Sequence, residues 1–576
     1  MNNGKGVGRR VLRRFYVVVL LAGASGAVWG RGRDQALQQS QNLAGEAPAA
    51  TRTQAGPGKQ DQAQDQEQTQ DQTNQSQKQA GKSARPTQAN PTQANPAQAS
   101  PAQASPAQEE TKITPRQAAE LFHSVDEILA FDSKQTGLAV KREVKRTLTS
   151  REEVVSYLNK NKDDKDTQRL RRSELVLKKF GLLPRDFDLE KLLVDLLREQ
   201  VAGYYDPKTK TVHLLDWVPI EEQEPVMAHE LTHALQDQAV NLDKWMGKGE
   251  KDLAETRKNP TPLDIENDET DNARQAVVEG QAEAVMLQYA LAPVGRTIVD
   301  SPDLVEDMES SMTNGTPDST VFKDAPIFLK ESLTFPYRYG LEFEVKLLQK
   351  GGREKAFAGV LANPPHTTRQ IMEPETYLSG EKIAPMAVPN FKRDFKNYQK
   401  FDIGAMGEFD VAVLIEQYAN QELAKWLYPE WRGGYYYAAR VKGDAAAPLG
   451  LLYVSRWSSA EKAADFAGIY AHSLAKRYKK VEEVGNANVA SGKSGGEGAR
   501  DVPAKDAPAK ETSSKETSSK HKGFKVIPLQ GRHAWSTEEG TVVIDEQGDT
   551  VLVSESLDAA TTETLEREVF ATAAAK

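Results

Sequence analysis

The chain has 576 residues, more than one compact core needs and enough for two domains with linkers. Asp and Glu (83) outnumber Lys and Arg (74), and the formal net charge of −9 excludes a general nucleic-acid binder, which needs a basic face. There is no cysteine, which excludes disulfides, thiol chemistry and lipidation of a thiol.

In chain order, residues 1–30 read as a signal peptide. Arg9, Arg10, Arg13 and Arg14 precede an apolar run from Phe15 that ends in small residues near Ala27. The run is shorter than the roughly 20 residues of a bilayer-spanning helix, so export to the periplasm or beyond is expected. Membrane contact arises only if that segment stays uncleaved. Residues 31–112 are rich in Gln, Ala and Pro and close on the repeat PTQAN, PTQAN, PAQAS, PAQAS. Such a segment buries too little apolar surface to offset its ordering entropy, and a disordered linker is expected.

A folded domain is expected over 113–389. Ala118, Leu121, Val125, Ile128 and Leu129 recur at helical spacing within Pro115 to Phe131, and Ala139 to Leu148 alternates like a strand. Thr149-Ser150 followed by Glu152-Glu153 has the spacing of a helix cap. Helices follow at Thr167 to Phe180 and Leu189 to Val201. Gly203 to Leu215 then reads as a hairpin turning at Asp206-Pro207-Lys208.

The stretch His229-Glu230-Leu231-Thr232-His233 carries the chemistry. These are the only two of eight histidines four residues apart. With Pro225 suited to a first helical position, a helix places both imidazoles on one face, one turn apart. They can then reach one ion, with Glu230 beside it as the base that takes a proton from water and returns it to a leaving amine. Catalytic zinc takes three protein ligands, and Asp271 to Glu283 again has helical spacing. Its Glu279 is the candidate third ligand, and Glu283, on the same face, the candidate acceptor that orients a ligand histidine. Gly280 costs about 1 kcal/mol against alanine inside a helix. A close approach to the His229 helix would offset that cost.

The order of hairpin, HExxH helix and Glu-Gly-x-Ala-Glu helix resembles the gluzincin branch of the zincin fold. The stretches Ala228 to Gln236 and Asn363-Pro-Pro-His-Thr-Thr-Arg-Gln-Ile371 resemble a group of bacterial metallopeptidases. The resemblance implies an α+β, zincin-like peptidase domain. Within it His229, His233 and Glu279 would hold Zn2+, Glu230 would act as base and Glu283 would support a histidine. It further implies a peptide or protein substrate, laid along Thr211 to Leu215 as an added strand. Glu283 departs from the aspartate common in such proteins and has a longer reach. Tyr337, Tyr339 and His366 are candidates for stabilising an oxyanion, each more readily explained as structural.

A smaller α+β domain is expected over 390–576, with a disordered insertion at about 485–522. Trp457 to Glu461 starts a helix whose apolar face is Phe466, Ile469, Tyr470 and Leu474. Leu451 to Val454 precedes it as a strand. Tyr435, Tyr436 and Tyr437 fit a half-buried strand or the wall of a substrate groove. The competing functional reading is a catalytically inactive zincin-fold scaffold tethered in the cell envelope. A hydrolase of a non-peptide amide would share the same site.

Overall fold

Thr114 and Gln117 cap each other reciprocally and start helix α1 (Pro115–Thr136), which ends at Gly137 in a left-handed conformation with φ 72°. In this computed structural model the described residues are 112–160, 164–200, 203–218, 220–247, 260–314, 320–484, 520–521 and 524–573. The expected signal peptide, nearly all of the linker and nearly all of the insertion lie outside them.

Strand β1 (Lys145–Thr149) is shorter than its alternating pattern and leads into α2 (Arg151–Lys160). Ser150 caps that helix: its N–H donates to Glu153 at 2.8 Å, and the Glu153 N–H donates to Ser150 Oγ at 3.3 Å. Helices α3 (Asp164–Phe180) and α4 (Leu189–Gln200) follow, then β2 (Gly203–Asp206) and β3 (Thr211–Leu215). The hairpin turn forms because the Asp206 carboxylate accepts from the Lys208 N–H and the Thr209 hydroxyl, both at 2.9 Å. The sheet order is β1-β3-β2, with β1 parallel and β2 antiparallel to β3. This corrects the expected substrate strand. Thr211 to Leu215 is the central strand, both of its edges are paired, and no peptide can add to it. Local sequence hid this because the parallel partner lies far upstream, across the crossover that parallel pairing requires.

Helix α5 (Ile220–Val240) carries both histidines, and Pro225 sits inside it rather than at its start. The proline costs the helix the N–H that would meet the carbonyl of residue 221, and the first turn forms ahead of it. Helix α6 (Pro262–Leu291) starts at a reciprocal Thr261–Asp264 cap with Pro262 in its first turn. It is buried almost all round between Thr270 and Leu287. Helix α7 is Pro302–Asn314. Helix α8 (Ile327–Glu354) kinks at Gly352 (φ 68°) and runs into a π-helical turn at Lys355–Gly359. A Cβ on Gly280 would stand 2.1 Å from the Gly340 carbonyl oxygen. The close approach expected at Gly280 therefore exists, but its partner is α8, not α5.

The C-terminal part is a seven-stranded sheet. Its strands are β4 (Tyr398–Ala405), β5 (Trp431–Val441), β6 (Gly450–Trp457), β7 (Val481–Glu483), β8 (Gly531–Thr537), β9 (Gly540–Gln547) and β10 (Thr550–Glu555). They lie in the order β4-β5-β6-β10-β9-β8-β7, every neighbouring pair antiparallel. β7 and β8 flank residues 485–519 and pair with each other. Tyr435 and Tyr437 are buried, the latter stacked 4.5 Å from Phe391 in the core, and Tyr435 also lines a pocket with Met386, Trp431 and Arg432.

The helical part and the large sheet share one hydrophobic cluster. Phe180 meets Tyr453 edge-on at 5.6 Å, and Phe335 lies 4.5 Å from Phe409 of α9 (Glu408–Tyr418). The Asn363 to Ile371 stretch braces this junction. The Thr368 N–H donates to Glu269 of α6 at 2.7 Å, the Phe409 N–H donates to Thr368 Oγ1 at 3.2 Å, and Arg369 donates to Glu408 at 2.8 Å. The result is a mixed α+β fold. Among the described residues no helix is long and apolar enough to cross a membrane.

Candidate metal centre

Met227, Ala228, Leu231, Ala234 and Leu235 are fully buried and fix the face that α5 turns inward. With that face set, His229 and His233 stack one turn apart, their rings 4.7 Å apart and nearly perpendicular. Glu279 of α6 projects between them. Its Oε2 lies 3.3 Å from His229 Nε2 and 3.4 Å from His233 Nε2. One ligand atom from each of the three residues falls within 4.8 Å of the others.

Two observations fit this triad to a metal ion. First, tetrahedral zinc with bonds of about 2.0–2.1 Å has ligand–ligand edges of about 3.3 Å, and two of the three spacings match. Second, each ligand has an orienting neighbour away from the point of convergence. His229 Nδ1 faces Glu283 Oε1 at 3.4 Å. His233 Nδ1 and Gln236 Oε1 are hydrogen-bonded at 2.9 Å. Gln275 donates to the far oxygen of Glu279 at 2.5 Å. Such partners fix the tautomer and rotamer of a ligand. Neither Glu283 oxygen nor His229 Nδ1 completes a hydrogen bond in the protein, leaving buried polar capacity beside the triad. The expected ligands and Glu283 thus come together, two glutamines join them, and helical spacing was the signal for both. Gln236 is three residues from His233, and Gln275 is four from Glu279.

Glu230 lies on the hairpin side of α5. Its Oε2 accepts the Tyr205 N–H of β2 at 2.7 Å, and the Tyr205 hydroxyl donates to Asp237 Oδ2 at 3.0 Å. Arg142 and Lys210 also pair with Asp237, at 3.0 and 2.7 Å. Tyr205 is therefore pinned to α5 at both ends, which holds β2, an edge strand, over Glu230.

All five groups are between 0% and 5% exposed, and burial is the largest single influence on the ionisation of each, though not always the deciding one. It pushes His229 down to about 4 and Glu230 up to about 7. Glu283 rises to about 8 through burial and the neighbouring Glu279 charge. Burial acts on Glu279 in the same sense, but the two histidines outweigh it and hold the carboxyl down at about 2. Burial likewise opposes charge on His233, yet Glu279 and Glu230 raise it to about 9. A charged Glu279 between two imidazoles gives a donor set that could hold a metal ion.

Of the oxyanion candidates, Tyr337 is the one whose ring lies against a ligand, 6.3 Å from that of His229. Tyr339 packs under Arg338 and beside Phe335, and His366 is exposed. The class that fold and site define is a mixed α+β protein with a buried His-His-Glu centre able to bind a metal ion. No protein-family model, no curated protein and no solved structure matches the chain.

Proposed function

We propose that the protein is a zinc-dependent hydrolase that cleaves peptide bonds, with a centre of the gluzincin type in a zincin-like domain. The observation that carries this reading is the convergence of His229, His233 and Glu279 on one point with Glu230 on the same helix. Two imidazoles and one carboxylate suit zinc, and three protein ligands leave a coordination position for the reaction. Bound there, zinc would supply Lewis acidity toward water and a substrate carbonyl. Glu230 would take the proton of the attacking water and deliver it to the departing amine. The Tyr205 N–H holds the Glu230 carboxylate in place, Gln236 holds the His233 imidazole, and Glu283 faces that of His229 at 3.4 Å.

The burial of the whole cluster favours a second reading, a structural metal in a non-catalytic scaffold. A substrate reaches groups this covered only if a covering element moves aside. Glu230 separates the two readings, because a structural centre has no use for a proton acceptor beside its ligands. In the full chain loaded with zinc, Glu230→Gln should abolish cleavage of a casein or mixed-peptide substrate while zinc content and melting temperature stay near wild type. Zinc-loaded wild type that cleaves nothing, or Glu230→Gln that cleaves as well as wild type, contradicts the hydrolytic reading.

A further inference from the structure

Gln236 and Gln281 lie outside the expected ligand set, yet both are fully buried beside it. A buried primary amide is costly unless both of its ends are satisfied, and here they are satisfied in sequence. Gln236 Oε1 meets His233 Nδ1 at 2.9 Å. The other end of that amide, Gln236 Nε2, donates to Gln281 Oε1 at 2.9 Å and to the Val278 carbonyl at 3.0 Å. Gln281 Nε2 in turn donates to the carbonyls of Ala356 and Phe357, at 2.8 and 3.2 Å. Those carbonyls belong to the π-helical turn Lys355–Gly359, where the regular ladder is interrupted.

The chain of bonds has a direction. Backbone carbonyls can only accept, so Gln281 must present its NH2 to them and its oxygen to Gln236. Gln236 must then present its NH2 to Gln281 and its oxygen to His233. An oxygen facing Nδ1 requires that nitrogen to carry hydrogen, and Nε2 is left to face Glu279 and the point of convergence. A fixed backbone feature just beyond α8 thereby decides which nitrogen of a histidine on α5 is offered to an ion.

Resting on the zinc reading above, we propose that Gln236 and Gln281 are positioning residues of the metal centre, a two-amide relay that sets the His233 tautomer from the π-helical turn. His229 is treated differently, since its Nδ1 faces a carboxyl group of Glu283 rather than an amide.

The test uses the full chain, first loaded with zinc and then with cobalt(II) as a spectroscopic probe. Zinc affinity is measured by competition with a chromogenic chelator. The exchangeable imidazole N–H signals shifted by cobalt are counted by proton NMR. Wild type should show two such signals, one per histidine ligand. Gln236→Leu should weaken zinc binding about 10–100-fold and lose or broaden one signal. Gln236→Glu, whose buried carboxyl in its protonated form donates to Gln281 Oε1 and keeps an oxygen facing Nδ1, should retain both signals and bind zinc within a few-fold of wild type. Gln281→Leu should weaken binding less than Gln236→Leu and serves as the relay variant if Gln236→Leu does not fold. Wild-type zinc affinity with both signals intact in Gln236→Leu or, failing that, in Gln281→Leu overturns the relay and leaves the zinc reading standing. Equal losses in Gln236→Leu and Gln236→Glu make Gln236 a packing residue and also overturn it. Wild type that takes up no zinc overturns the zinc reading itself.

Discussion

Gly280 and Gly340 meet backbone to backbone where α6 crosses α8. A Cβ on Gly340 would stand 2.3 Å from the Ala276 carbonyl oxygen, and one on Gly280 would fall 2.1 Å from the Gly340 carbonyl oxygen. Gly280 is the residue after Glu279, so this crossing sets how deeply that carboxylate reaches toward α5.

Gly340→Ala forces the two helices apart, since backbone atoms cannot swing aside as a flexible side chain does. We expect a loss of about 1–3 kcal/mol in chemical denaturation, the scale of an overpacked core. Zinc affinity should weaken as well, because Glu279 withdraws from both histidines. A Gly340→Ala protein as stable as wild type and binding zinc as tightly would mean that the crossing does not position the ligand.

Glu344 of α8 is wholly buried, and neither of its carboxyl oxygens has a hydrogen-bond partner. Burial raises its pKa well above the ordinary carboxylate value. The folded state therefore keeps the proton while the unfolded chain releases it above about pH 4.3. Stability is full below that pH and falls as pH rises toward the folded pKa, by up to about 1.4 kcal/mol per unit. Glu344→Met removes the group at similar volume. Its stability should exceed wild type at neutral pH, and the gap should widen between pH 5 and 7. Parallel pH profiles for the two proteins would contradict this.

Arg369 holds Glu408, which is buried, at 2.8 Å, and also donates to Glu381 at 3.2 Å and to the Pro429 carbonyl at 2.7 Å. Without Arg369 the Glu408 carboxyl, already raised to about 8 by burial, takes up a proton and loses a charged hydrogen bond worth about 1.5–3 kcal/mol. Arg369→Met should lose stability on that scale at neutral pH. Arg369→Met combined with Glu408→Leu should recover at least about 1 kcal/mol of it. Simple additivity of the two changes in a thermal-melt cycle would show that the pair does not couple.

Local chemistry made much of this architecture legible. Ser150 and the Asp206 turn form the cap and the bend that their spacing implies. His229, His233, Glu279 and Glu283 meet because helical periodicity fixes which residues share a face. Long-range pairing was not legible. Nothing near Thr211 to Leu215 shows that a strand at residues 145–149 covers its outer edge, and nothing near Gly280 singles out Gly340. β4 escaped notice because Tyr398 to Ala405 is mixed in polarity, and its place depends on pairing with β5. Pro225 misled because it is tolerated one turn inside a helix as well as at its start.

The central claim is that His229, His233 and Glu279 hold a zinc ion. The most direct measurement is the metal content of the full chain, purified without added metal or chelator and read by inductively coupled plasma mass spectrometry. The expected result is close to one zinc per chain, falling to near zero in a folded His233→Ala variant. Wild-type protein without zinc that also fails to take it up on titration, or His233→Ala with its zinc intact, would contradict the account.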